Sequence, residues 1–167
     1  MSSHKPPPTS SDEPSSAPGA GDEARRFEWR PEYSVGVEEI DAQHQELYRR
    51  INVFLAALAE KRGAAELEPL VRWLREYVRE HFAEEQRLME FSFYPGLGEH
   101  LAEHHRFEAD YEALAGELQR TGPTFGLARR LLALLVDWLD QHLTTTDRAF
   151  GAFLASYLGR RSVKPSA

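Results

Sequence analysis

Residues 66–91 read ELEPLVRWLREYVREHFAEEQRLMEF, and their apolar positions return every three or four residues. Leu70, Leu74, Tyr77, Val78, His81, Glu85 and Leu88 share one stripe, which is the period of an amphipathic helix and not the alternation of a strand. Pro69 then falls in the first turn, where its missing N–H costs nothing. An ordinary core would not need the histidine and the glutamate that sit on this stripe.

The same period recurs on both sides. A helix over residues 38–61 carries Ile40, His44, Leu47, Ile51, Phe54, Leu55 and Leu58, with Gly63 as its stop. Tyr94-Pro95-Gly96 makes a turn into a third helix over 97–120, with His100, His104, Phe107, Tyr111, Leu114 and Leu118 on its stripe. Gly122-Pro123 ends it. A fourth helix over 124–143 shows Leu127, Leu131, Leu134, Leu135, Trp138, Leu139 and His142, and a shorter one over 147–158 carries Phe150, Phe153, Leu154 and Leu158. Four amphipathic helices joined by short Gly/Pro connections specify an all-α, antiparallel up-down-up-down four-helix bundle. Residues 27–37, with Phe27, Trp29 and Tyr33, read as an extended N-terminal arm that packs on the bundle.

Residues 1–24 hold five of the ten prolines and no aromatic residue, a composition that buries too little to offset its ordering entropy, and are expected to be a disordered tail. Residues 25–160 form the bundle domain and 161–167 a flexible C-terminus. The net charge of −7 argues against nucleic acid. No apolar run is long enough to span a bilayer, and the N-terminus lacks an apolar signal region, so a cytoplasmic protein is expected. There is no cysteine, so any metal must be held by histidine and carboxylate.

Five of the seven histidines lie on the apolar stripes. A single such histidine is usually a hydrogen-bonded core residue. Five on four helices are hard to satisfy that way, because each buried neutral ring needs a donor and an acceptor partner. His81/Glu85 and His100/His104 are i, i+4 pairs on one helix face. His142 and Asp147 are five apart, which suggests that Asp147 reaches back from a break after the fourth helix, where Thr144-Thr-Thr146 lowers helix propensity. Antiparallel packing sets His44, near the start of its helix, level with His81, near the end of the next, and likewise His100 and His104 with His142. All seven candidate ligands, His44, His81, Glu85, His100, His104, His142 and Asp147, therefore collect at one end of the bundle. Seven ligands are too many for one ion, and the nitrogen/oxygen set suits iron better than calcium or magnesium, with zinc and copper still open. Glu84 reads as solvated or as an outer neighbour of the site, with replacement of Glu85 as the alternative, and His105 points about 100° from His104 toward the surface, with a ligand role as its alternative. His4 lies in the tail, Met89 reads as core, and the Arg pairs at 49–50, 129–130 and 160–161 read as solvated faces.

Trp29, the run Gly36-Val-Glu-Glu-Ile-Asp-Ala-Gln-His44, then His81-Phe-Ala-Glu-Glu85, Tyr94-Pro95 with His100 and His104, and Trp138-Leu-Asp-Gln-His142 with Asp147 resemble the hemerythrin family, bacterial hemerythrins in particular, over about residues 27–158. The resemblance implies two non-haem iron ions. His100, His104 and His142 would hold one and His44 and His81 the other, with Glu85, Asp147 and an oxo or hydroxo group as bridges. The first ion then has six ligands and the second five, leaving a position for reversible O2 binding. Trp138, Leu139 and Leu143 would form dry walls of the O2 pocket. A non-enzymatic oxygen carrier, store or supplier is the expectation, with an O2 or redox sensor, detoxification of NO or peroxide, and iron handling as alternatives. A monomer is expected, and a protein partner is not specified.

Overall fold

A computed structural model describes residues 27–162, and the side chains of 27–161. The expected tail at 1–24, with His4, lies outside the described residues. Helices α1 (Glu38–Ala59), α2 (Gly63–Ser92), α3 (Leu97–Thr121) and α4 (Phe125–Trp138) pack as an antiparallel bundle, each against its chain neighbour and α4 back against α1. A π-helical segment (Leu139–Asp147) joins α4 to α5 (Arg148–Ser162). There is no strand, and no helix long and apolar enough to cross a membrane, among the described residues.

The helix ends differ from the sequence reading in instructive ways. Gly63 does not stop α1 but begins α2. A Cβ there would stand 2.3 Å from Leu58 Cδ2, so the glycine leaves room for that side chain. The left-handed residue in this connection is Lys61, at φ 61°. Because α2 starts three residues early, Pro69 sits in its second turn, on the exposed face. Thr124 caps α4 by accepting a hydrogen bond from the Leu127 amide at 3.1 Å. No break follows α4: the chain is helical without interruption from Phe125 to Ser162, and Arg161 and Ser162, expected in a flexible terminus, are helical.

The stripes bury as the period requires, with Ile40, Ile51, Leu74, Leu131 and Leu135 fully enclosed. Leu158, expected on a buried stripe, is half exposed. The aromatic arm is less extended than expected. It folds through a 3₁₀ turn at Pro31–Tyr33, set by the fixed φ of Pro31. Phe27 pairs with Asn52 through both its backbone groups (2.9 and 2.7 Å), Trp29 packs edge-on against Tyr48, and Val35 donates to Asp41 Oδ1 at 2.8 Å. Val35 then presses against Gly151 of α5, where a Cβ would lie 2.6 Å from the Val35 Cα.

Most buried apolar side chains form one cluster along the bundle. A smaller cluster of Met89, Phe150 and Leu154, edged by Tyr94 and Leu97, caps one end. Five imidazoles and two carboxylates lie between the two.

Candidate metal centre

Each helix delivers its polar residues from the same stripe that delivers its core. His44, His81, His100, His104 and His142 are at most 2% exposed, and Glu85 and Asp147 are fully buried. The Nε2 atoms converge: His44 and His81 are 3.1 Å apart, as are His104 and His142. Asp147 Oδ1 lies 2.9 Å from His142 Nε2 and 3.3 Å from His100 Nε2, while Asp147 Oδ2 is 3.4 Å from His44 Nε2. Glu85 Oε2 is 3.2 Å from His104 Nε2 and 3.6 Å from both His81 and His100, with Oε1 4.0 Å from His44. Two sets result, each with all its ligand atoms within 4.8 Å of one another: His100, His104 and His142 with Glu85 and Asp147, and His44 and His81 with the same two carboxylates.

None of the four carboxylate oxygens accepts a hydrogen bond, although all are sealed from solvent. Buried anions are costly unless compensated, and here only imidazole nitrogens, themselves possible metal ligands, are shown facing the two carboxylates, an arrangement that fits a site for cations. The tautomers fit as well. His81 Nδ1–H donates to Gln43 Oε1 at 2.8 Å and His142 Nδ1–H to Glu103 Oε2 at 2.6 Å, which leaves each Nε2 lone pair facing the centre. His44, His100 and His104 have no partner at Nδ1.

The charges are arranged for metal. Burial and the neighbouring Asp147 act to raise Glu85, but His81, His100 and His104 outweigh them and hold it down to about 2. Asp147 is held well below the usual range in the same way, burial being outweighed by His142, His100 and His44. Burial pushes His81 down to about 4, whereas at His100 burial is outweighed by Asp147 and Glu85, which lift it to about 9. The centre is thus anionic on its carboxylates, with imidazoles around them.

Asp147 reaches the site without the expected break. An α-helix would turn residues five apart to different faces; the wider π turn, bonded i to i+5, returns Asp147 to the face of His142. The three threonines are satisfied inside it: Thr144 donates to the Asp140 carbonyl at 2.7 Å, Thr145 to that of Gln141, and Thr146 to Glu103 Oε2 at 3.0 Å. Trp138 stacks on His142 with centroids 3.8 Å apart, and so lies against the three-histidine set. Leu139 and Leu143 are enclosed in the main apolar cluster. Glu84 pairs with Arg87, His105 is exposed, and Met89 fills the smaller cluster; none belongs to either ligand set. Sequence reasoning passed over Gln43, Glu103 and Phe82, whose ring lies 3.7 Å from that of His104. Only the register between helices exposes the first two, because neither is on its own helix's apolar stripe.

Known proteins of this pattern exist. The family model of the hemerythrin HHE cation binding domain matches residues 35–154. A bacteriohemerythrin of Stenotrophomonas maltophilia is 27% identical over 79% of this chain and 84% of its own length. A myohemerythrin of Riftia pachyptila is 30% identical over 72% of this chain and 88% of its own, and a bacteriohemerythrin of Pseudomonas paraeruginosa is 30% identical over 73% and 77%. With most of the chain matched by the family model, and the buried histidines and carboxylates gathered where a cation-binding domain needs them, this protein is a member of the hemerythrin family.

Proposed function

We propose that the chain holds two non-haem iron ions between its four helices and uses them to bind O2 reversibly, without turning it over. One observation carries this reading: two ligand sets share Glu85 and Asp147, but one has three histidines and the other only two. His100, His104 and His142 would complete the surroundings of one ion. His44 and His81 leave the other a ligand short, which is the vacancy a small molecule needs. Bound as a reduced pair, the irons would supply the two electrons that hold dioxygen.

The rest of the work falls to the protein. Glu85 and Asp147, both anionic and shared by the two ligand sets, would compensate the charge of the cations. Gln43 and Glu103 hold His81 and His142 in the tautomer that presents Nε2. Trp138 and Phe82, stacked on His142 and His104, and Leu139 and Leu143 in the same apolar cluster would keep water from the site and so slow autoxidation of the irons. Five imidazoles and only two carboxylates give the ions less anionic charge than glutamate-rich di-iron bundles do, and this favours reversible binding over high-valent chemistry. The names of the relatives, bacteriohemerythrin and myohemerythrin, support the same reading.

The test is metal analysis followed by oxygenation of the reduced, iron-loaded chain. The reading expects two irons per chain and a coloured species that disappears under vacuum and returns with air. Multiple-turnover consumption of NO, peroxide or an oxidisable substrate would overturn the non-enzymatic assignment.

A further inference from the structure

Three of the described tyrosines, Tyr48, Tyr77 and Tyr111, are buried, and of their hydroxyls that of Tyr77 is both sealed and unpaired. Tyr111 donates to the Val71 carbonyl at 2.7 Å, while the Tyr77 hydroxyl is sealed from solvent with no hydrogen-bond partner. Leaving a buried hydroxyl unpaired costs about 1–3 kcal/mol, a penalty that phenylalanine would avoid. Its position says what it serves. The Tyr77 ring stacks on His81, centroids 5.0 Å apart and 20° from parallel, one helical turn from that ligand. Trp73 stacks on it in turn at 4.9 Å, with Arg50 over the indole. Tyr77 shares the apolar cluster with Leu47, Leu139 and Leu143. Burial first, and then the charges of Glu85 and Asp147, keep the proton on this hydroxyl, so it remains able to donate.

We infer that Tyr77 is the hydrogen-bond donor to the small ligand, O2 or an anion, taken up at the two-histidine side of the centre. The inference rests on the functional reading above and deepens it. His81 is one of the two histidines on that side and the Tyr77 ring stacks on it, so the sealed, unpaired hydroxyl lies beside the ligand pair that is one member short. Such a donor, pre-placed and protected from water, strengthens binding to a ligand that carries negative charge.

The experiment compares wild type with Tyr77→Phe as iron-loaded full-length chain, with azide as probe of the oxidised form and O2 release measured on the reduced form. The variant should keep its iron, bind azide about 10- to 100-fold more weakly and release O2 faster by a similar factor. The metal-free variant should melt no lower than wild type, since it loses an unpaired hydroxyl. That sign is opposite to the one a structural hydrogen bond would give. Azide and O2 behaviour matching wild type at equal iron content overturns the role of Tyr77 alone. A variant that loses iron, or a lower melting temperature without metal, overturns it also, by showing that the hydroxyl supports the fold. Wild type that carries its irons but takes up neither azide nor O2 overturns the functional reading and this inference together.

Discussion

Glu103→Gln should weaken iron binding while leaving the centre's geometry in place. Glu103 Oε2 stands 2.6 Å from His142 Nδ1 and 3.0 Å from the Thr146 hydroxyl, so one carboxylate orients both a ligand and the π segment that carries Asp147. Glutamine keeps an acceptor oxygen in reach and removes only the charge. A charge-assisted hydrogen bond contributes about 1.5–3 kcal/mol when buried. The Glu103 side chain is 31% exposed, and solvent screening brings the loss to roughly 1 kcal/mol, or about fivefold in iron affinity. Glu103→Ala removes the acceptor as well and should fall within the roughly 10- to 100-fold typical of outer partners of metal-bound histidine. Gln43→Ala makes the matching deletion at His81, where the partner is neutral, and should cost less than Glu103→Ala. Competition against a chelator of known affinity, with bound iron counted at each step, measures all three. The reasoning is wrong if Glu103→Ala holds iron as tightly as wild type, or if the glutamine variant is the weaker of the two.

His81→Ala should reduce bound iron and lower the melting temperature of the loaded protein, because metal binding and folding are linked; iron content and melting temperature equal to wild type would contradict a ligand role. Gly151→Ala should lose roughly 1–3 kcal/mol in denaturant titration, since the new Cβ meets backbone atoms of Val35 and the arm must lift to admit it. The metal-free protein should be most stable near pH 6.5. At His100, burial is outweighed by Asp147 and Glu85, and the pKa lifted to about 9 gives stability that is complete below 6.5 and lost as pH rises through 9. Burial lowers His81 to about 4, so protonating it costs stability as pH falls from 6.5 through 4. A denaturation midpoint that changes in one direction only between pH 4 and 9 would exclude this balance.

The bundle was legible because its signal is redundant: Ile40, Ile51, Leu74, Leu131 and Leu135 each sit where a 3.6-residue period puts the inner face, and each is buried. The convergence of the candidate ligands was legible from two facts that need no side-chain detail, the i, i+4 spacing of His81/Glu85 and His100/His104 and the antiparallel order that sets His44 beside His81. What depended on contacts between helices was not. Gln43 and Glu103 look like surface residues on their own helices, and become partners of His81 and His142 only through a register the sequence does not encode locally. The role of Gly63 was misread for a related reason. Glycine after a helix normally supplies a left-handed residue, but here Lys61 takes that conformation and Gly63 makes room for Leu58.

The π segment is where local and global preferences part, and it explains the one spacing that fits no ordinary helix. The centre needs His142 and Asp147 on a single face, while the chain stays helical from α4 into α5 and keeps Leu135, Phe150 and Leu154 buried. An α-helical i+4 spacing would bring the carboxylate round without disturbance, as at His81 and Glu85. The extra residue between His142 and Asp147 must be absorbed, and the wider turn absorbs it while Thr144 and Thr145 donate to carbonyls one turn back. Thr146 then ties the turn to Glu103, which also holds His142. The poor helix formers that suggest a break are therefore the groups that let the irregular turn persist. The backbone irregularity, the outer hydrogen bond and the carboxylate ligand form one unit, so altering the turn should disturb iron binding even though no threonine touches the centre.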